Sequence, residues 1–247
     1  MQVAIEREKG EIASGNLFTA LLGFRALGYE VHYFEHSEVD SLPNCPELVV
    51  VGYGGTITRA LLRLKVALPV FPSIPKELER FAGRRTWGSS LGAVRRSVQS
   101  GSMPLFIKPA TGHTKQFTGH VVRTFGDLLA TVELPDETSV ICSDVVSLKS
   151  EYRCFVHRGS LVGCKHYGGS FRHFPDFHII DEAVAAFVSA PAAYSLDVGV
   201  TANGGTLLVE VNDAYALGAY GLEPAFYAKM LADRWHELVG GYGRITA

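Results

Sequence analysis

The stretch Asp197-Val198-Gly199-Val200-Thr201-Ala202-Asn203-Gly204-Gly205-Thr206-Leu207-Leu208-Val209-Glu210-Val211-Asn212-Asp213 decides the reading of the chain. Asn203-Gly204-Gly205 between two apolar runs is a strong hairpin signal. With Asn203 and Gly204 as the turn, Ala202 faces Gly205 and Asp197 falls opposite Glu210. A three-residue turn shifts the pairing by one and keeps the two carboxylates neighbours. Like charges facing each other across strands repel. Asn212 shares the face of Glu210 because strand side chains alternate, and Val209 and Val211 are expected to point the other way, into a core. Two carboxylates and a carboxamide on one face suit a hard divalent cation, above all Mg²⁺, which takes one or two carboxylates together with phosphate oxygens. The competing reading is a solvated sheet face.

Upstream, Glu151-Tyr152-Arg153-Cys154-Phe155-Val156 and Leu161-Val162-Gly163-Cys164-Lys165 flank His157-Arg158-Gly159, a second hairpin with charges among apolar neighbours. Arg153 and Lys165 are expected to project from a sheet face, where cations could neutralise a transferring phosphoryl group. Further back, Phe106-Ile107-Lys108-Pro109 puts a lysine at the end of an apolar strand. The polar, glycine-bounded stretch after it, residues 110–119 with His113 and Lys115, has the composition of a lid whose amides, hydroxyls and lysine could donate to phosphate.

The N-terminal part alternates strand and helix. Met1 to Ile5, Glu30 to Phe34 and Leu48 to Val51 read as strands. Asn16 to Leu27 and Thr56 to Val66 read as helices, the first closed by Gly28, and Val70-Phe71-Pro72 ends the unit. This order implies a partly parallel open sheet. Gly52-Tyr53-Gly54-Gly55-Thr56 follows a strand and opens a helix. It lacks the lysine of a P-loop and the spacing of a dinucleotide fingerprint, so it reads as a tight turn near a cleft, one that contacts a second substrate, rather than as a phosphate cradle. Residues 72–100 read as a hinge and a basic helix carrying Arg84, Arg85, Arg95 and Arg96. From Leu105 onward, strands interleaved with short helices give an α+β region, ending in a helix over Ala225 to Val239.

Composition narrows the classes. A hydrophobic fraction of 47% and a charged fraction of 19% over 247 residues are globular values, with ample material for a core. A formal net charge of -2 gives no reason to expect nucleic acid or an anionic membrane as partner. No apolar run reaches the roughly 20 residues of a membrane helix, and Met1 to Gly10 lacks the apolar core of a signal peptide, so a cytoplasmic location is expected. Cys45, Cys142, Cys154 and Cys164 read as reduced thiols packed in strands. A zinc site from His157, His166, His173 and His178 with Cys154 and Cys164 matches no familiar spacing. His166, Tyr167 and His173 are instead expected to line an acceptor pocket or to sit on the surface. Phe226 to Leu238 could serve a homodimer interface as readily as a core.

In this order the motifs Phe-Ile-Lys-Pro at 106–109, Glu-Tyr-Arg-Cys-Phe-Val at 151–156, Lys165, Asp197-Val-Gly-Val and Leu-Val-Glu-Val-Asn-Asp at 208–213 resemble the ATP-grasp superfamily. They come nearest a clade of short proteins with lysine, here Lys165, where arginine is commoner late in the core. The resemblance implies an α/β pre-ATP-grasp domain over residues 1–75 and an α+β ATP-grasp domain over 76–247, with the nucleotide between its two subdomains. It implies ATP and Mg²⁺ as cofactors, with Asp197, Glu210 and Asn212 as metal ligands. Lys108 would contact the α- and β-phosphates, and the loop holding His113 and Lys115 would close over the triphosphate. The strand end with Asp144, Val145 and Val146 would meet adenine. Lys165 would stabilise the transferred phosphate, while Arg153 and Glu151 order the site or meet the acceptor. Arg84 and Arg85 stand near the place of an earlier family lysine. The implied reaction is ATP-dependent carboxylate–amine ligation through an acyl-phosphate, releasing ADP and phosphate. The alternatives are a non-catalytic ATP-binding module or a ligase whose acceptor is a peptide or nucleic-acid end.

Overall fold

The computed structural model describes residues 1–69, 72–102, 104–110 and 116–240. Val70 and Phe71 of the expected closing strand, and His113 and Lys115 of the polar loop, lie outside the described residues. The chain packs as two compact units: Met1–Phe81 together with Leu148–Ala247, and Ala82–Ser147.

The larger unit begins with β1 (Gln2–Arg7), α1 (Gly15–Ala26), β2 (Glu30–Glu35), β3 (Leu48–Val51) and α2 (Gly54–Arg63). The three strands are all parallel in the order β2-β1-β3, which agrees with the α/β expectation. The central residues Val3, Ala4 and Ile5 and the whole of Leu48–Val51 are buried, as a parallel sheet covered on both faces requires. Ser14 starts α1 by accepting the Asn16 amide at 3.2 Å. Gly28, at φ +76°, turns the chain out of the helix, a conformation glycine adopts without strain.

The smaller unit holds β4 (Thr86–Ser90), α3 (Leu91–Gln99), β5 (Leu105–Pro109), β6 (His120–Val122) and β7 (Ser139–Ser143), in the antiparallel order β4-β7-β5-β6. Leu91, Val94, Leu105, Ile107, Val122, Leu128 and Val140 form its core. The expected basic helix is corrected here. Residues 86–90 are a strand paired with β7, and the helix starts only where the Ser90 hydroxyl accepts the Ala93 amide. On that helix Arg95 donates to the carbonyls of Thr131 and Leu134 at 2.7 and 3.1 Å.

The chain then returns to the larger unit with β8 (Leu148–His157), β9 (Ser160–Gly169), α4 (Phe177–Ala186), β10 (Ala193–Thr201), β11 (Thr206–Asp213) and α5 (Pro224–Gly240). These strands form an antiparallel sheet in the order β11-β10-β8-β9. Tyr152, Cys154, Val156, Leu196, Val198, Leu208 and Val211 share a core with Ile180 of α4. The apolar stretch of α5, open between core and interface in the sequence, is core: Tyr227, Met230, Leu231 and Trp235 pack with β1, β3 and α1. The Trp235 indole donates to the Pro46 carbonyl at 3.0 Å. Truncating such a buried ring costs about 3–5 kcal/mol. Among the described residues no helix is long and apolar enough to cross a membrane. All four cysteines are free, and Cys45 lies in the loop before β3 rather than in a strand.

Candidate active site

The hairpin of β10 and β11 holds the site, and it differs from its simplest reading at two places. Thr201 donates its amide to the Gly205 carbonyl at 2.8 Å, and Gly204 adopts φ +84°, so the turn is three residues long. Val200 therefore faces Thr206, one step out of the two-residue register. A bulge after Asp197 then takes up Val209 and returns Asp197 to the position opposite Glu210. As the bulged residue, Val209 is only half-buried, which corrects its expected place in the core; Leu208 is buried there with Val211.

Register places four charged residues in one row across the sheet. Lys165 on β9 faces Arg153 on β8, Arg153 faces Asp197 on β10, and Asp197 faces Glu210 on β11. Arg153 Nε and a terminal nitrogen grip both Asp197 oxygens at 2.7 and 2.6 Å. The pair is buried, with residue exposures of 8% and 2%, so the charges need each other. Burial works against the charge on Arg153, and the bonds to Asp197 more than offset it, holding its pKa above the ordinary arginine value. Burial holds the Asp197 carboxyl above its ordinary value, against the downward pull of the bonds from Arg153. The Arg153 guanidinium thus offsets part of the repulsion between Asp197 and Glu210. Asn212 Nδ2 donates to Asp197 Oδ2 and Glu210 Oε1, each at 3.3 Å, and ties the two acids together. Among the described residues Lys165 forms no ion pair.

Three aromatic or acidic neighbours complete the cluster. The Tyr220 ring lies 4.3 Å from the Arg153 guanidinium carbon, a cation–π contact. Tyr167 donates to Glu151 Oε2 at 3.2 Å and meets the Tyr220 ring edge-on at 5.5 Å. Burial, and then the nearby Asp197 and Glu151 carboxylates, push the Tyr167 phenol well up, so it remains a donor. Of the three residues expected at a pocket or on the surface, Tyr167 joins this cluster, His166 meets the Tyr152 ring edge-on at 5.2 Å, and His173 is exposed. Tyr220 sits at φ +46°, a strained conformation for an aromatic residue, of the order of 1–3 kcal/mol. Sequence reasoning gave Tyr220 no role. The signal that marks it is its glycine setting: a side chain on Gly218 would come within 2.9 Å of its ring, and Gly221 adopts φ +78°.

The donor set fits a hard cation. Glu210 and Asn212 are half-buried and offer oxygen, and Asp197 keeps lone pairs beyond those that Arg153 engages. Asn212 would have to turn its amide, since its nitrogen faces the acids; the two ends of a carboxamide exchange by rotation. Zinc finds no such fit. Among the described residues no three of His, Cys, Asp or Glu converge, and His157 is bonded to Asp233 at 2.6 Å.

The other expected residues lie in the smaller unit. Lys108 is half-buried on β5, opposite Ile141. Asp144 follows β7 directly and is gripped by Arg85, Nε to Oδ2 at 3.1 Å and a terminal nitrogen to Oδ1 at 2.9 Å. The Arg85 hydrogen bond holds the Asp144 carboxyl below the usual range. The acid expected near adenine and the arginine expected in place of the early lysine are therefore partners of each other. Val145 and Val146 continue from Asp144 as half-buried coil.

A pocket of about 110 Å³ opens elsewhere in the larger unit. Gly52, Tyr53 and Gly54 line one side, Ser14 and Asn16 of the α1 start another, and Tyr215 to Gly218, just beyond Asn212, a third. Ala219 donates its amide to Asn16 Oδ1 at 2.9 Å, fixing the loop after β11 against α1. The buried Glu6 carboxylate lies under the glycine turn, accepting the Tyr53 amide at 2.7 Å and facing His36 Nδ1 at 3.1 Å. A carboxylate beneath the turn disfavours phosphate there and supports the reading of a turn beside a cleft.

Residues 81–230 match the model of an ATP-grasp domain family, the second family of the arginine-to-lysine clade. No curated protein matches the chain. Among solved structures it is similar to D-cycloserine synthetase DcsG, with a TM-score of 0.61 and 12% identity over 95% of this chain and 100% of that one. It is also similar to N5-carboxyaminoimidazole synthetase from Staphylococcus aureus complexed with ADP (TM-score 0.62, 9% identity, 94% and 77% of the two chains). D-alanine–D-alanine ligase from Bacillus anthracis aligns with a TM-score of 0.55 and 14% identity over 96% of each chain. At these identities the likeness is one of fold.

Proposed function

The chain belongs to the ATP-grasp superfamily, in the second family of its arginine-to-lysine clade, and from that premise we propose that it is an ATP-dependent ligase joining a carboxylate to an amine. The observation that carries the reading is the row Lys165–Arg153–Asp197–Glu210, with Asn212 beside it, on one sheet face. Such a row grades from two cations to two acids, which suits a triphosphate whose charge must be balanced at one end and whose metal must be held at the other.

In this reading Glu210 and Asn212 would hold Mg²⁺, with Asp197 as a third oxygen donor oriented by Arg153. The ion would supply charge neutralisation at the phosphates. Lys165 stabilises the transferred phosphoryl group. The substrate carboxylate takes the γ-phosphate to give an acyl-phosphate and ADP, and the amine then displaces phosphate to form an amide. The protein's part is positioning and electrostatics. The pocket beside Gly52–Gly54 is the proposed seat of a small organic substrate, because it is lined by chain segments that lead directly from Asn212. Tyr167 keeps Glu151 hydrogen-bonded, and Glu151 orders the approach to Arg153.

Calorimetric titration with ATP, with and without Mg²⁺, tests this on the wild type and on Glu210→Gln. Binding that tightens at least tenfold with Mg²⁺, and loses that gain in the variant, is the expected result. Wild-type protein that binds no ATP, or a variant that keeps the full gain, refutes it. A screen of acids and amines for ADP release then distinguishes a ligase from a protein that only binds nucleotide.

A further inference from the structure

Cys154 on β8 and Cys164 on β9 occupy directly opposed positions, and their sulfurs lie 3.0 Å apart. Residues paired across antiparallel strands have Cα atoms about 4.5–5.5 Å apart, inside the range of about 4.4–6.8 Å that a disulfide spans. No backbone movement is needed to join them. We propose that Cys154 and Cys164 are a site of oxidative modification, a dithiol that a hydroperoxide converts to a cross-strand disulfide.

The two thiols differ in a way that sets the order of events. Cys154 is fully buried, while Cys164 is half-buried and adjacent to Lys165. The hydrogen bond from Cys154, opposed by burial and assisted by Lys165, holds the Cys164 thiol below its ordinary value, whereas the same contact and burial push Cys154 far up. Cys164 is thus the attacking thiolate and Cys154 the resolving thiol. The Cys164 thiolate attacks one oxygen of hydrogen peroxide, forming a sulfenic acid as the O–O bond breaks; the departing hydroxide takes a proton and becomes water. Cys154 sulfur then attacks Cys164 sulfur, the S–O bond breaks, and the Cys154 proton leaves with that oxygen as a second water. Two thiols lose two electrons and the peroxide gains them.

The location gives the modification a consequence. The pairing of β8 with β9 slips at two places, between Glu151 and Tyr152 and between Phe155 and Val156. Between those bulges runs a regular segment, Tyr152–Phe155 against Gly163–His166, and Cys154–Cys164 lies within it next to the Arg153–Lys165 pair. A bond there locks the register beneath the two cations, so oxidation stiffens the segment without adding bulk to the opposite face.

The test treats folded wild-type protein with hydrogen peroxide, then denatures, alkylates and maps it by mass spectrometry. Expected are the loss of two of the four free thiols, an intact mass lower by two hydrogens, and a peptide linked through residues 154 and 164, all reversed by dithiothreitol. Slower amide exchange across 152–155 and 163–166, and a melting temperature raised by a few degrees, should accompany it. In Cys154→Ser, dimedone should trap a sulfenic acid at Cys164. Thiols that resist peroxide until the protein unfolds, a link through Cys45 or Cys142, or a wild-type Cys164 that stops at the sulfenic acid would each overturn the proposal. None of these readouts depends on ATP, so failure of the ligase reading leaves this proposal standing and the reverse.

Discussion

Two buried arginine–aspartate pairs in the larger unit are nearly the same object by geometry and opposite objects by setting. Arg153 grips Asp197 at 2.7 and 2.6 Å, and Arg234 on α5 grips Asp213 at 2.7 and 2.6 Å. Around the second pair one arginine is shared by two acids, and every contact lies within the fold. Glu237 takes another Arg234 nitrogen at 2.7 Å, and Asp213 also accepts the Tyr215 amide at 3.1 Å. Around the first pair two acids stand side by side, with Glu210 opposite Asp197, Asn212 bridging them and an aromatic face over the guanidinium. Acids that face each other across strands are unfavourable in isolation and make sense where a charged ligand comes between them. A salt bridge is therefore judged by what its neighbours leave over.

The largest expected effect that tests this contrast is on stability. Arg234→Met leaves Asp213 buried without its partner and should cost about 3–5 kcal/mol, read by urea unfolding. Turnover per folded molecule should hold, and replacing both partners by Met and Leu should recover most of the loss. If Arg234→Met abolishes turnover in protein that remains folded, the contrast is broken. Next is Glu210→Gln, expected to lower ATP-dependent turnover by about 100-fold or more with little change in urea midpoint. The double variant Arg153→Met with Asp197→Leu should keep near-normal stability and lose turnover, the mirror of its counterpart. A smaller change belongs to Tyr220→Ala: its turnover should fall by about tenfold through loss of the cation–π contact, while relief of the positive φ is absent because alanine is strained there too. Tyr220→Gly should be the more stable of the two in thermal melts. The smallest effect is a pH dependence. Burial raises the Tyr194 phenol from 10.0 to about 12. A folded pKa above the unfolded one means stability is fully present below pH 10 and is lost as pH rises from there through about 12. Among the described residues the Tyr194 hydroxyl also has no hydrogen-bond partner. Tyr194→Phe should thus unfold less readily at alkaline pH in urea titrations, with a change at neutral pH of no more than about 1 kcal/mol.

What was legible in the sequence was what local chemistry controls. The Asn203-Gly204-Gly205 turn and the alternation through Glu210 and Asn212 are local signals, and they led to the facing of Asp197 and Glu210. The strand over residues 86–90 was not legible, because Thr86-Trp87-Gly88-Ser89-Ser90 is short and half polar, and only its pairing with β7 makes it a strand. Arg153 was legible as a charge on a sheet face but not as the partner of Asp197, since cross-strand register from β8 to β10 depends on contacts 44 residues apart. Tyr220 reaches Arg153 only through the path of the loop after β11. Arg85 and Asp144 were each singled out, yet their union depends on the approach of β4 to β7, which nothing in the intervening residues announces.

The bulge at Val209 gives the hairpin a property best put in the language of mechanical tolerance. A three-residue tip sets the strands one notch out of step, and one slack link farther down takes the notch back before the charged row begins. The tip and the working face are thereby decoupled, as a vernier separates coarse travel from fine alignment. Deleting Val209 should straighten the strand and still leave Glu210 opposite Asp197, because Leu208 already faces Val198.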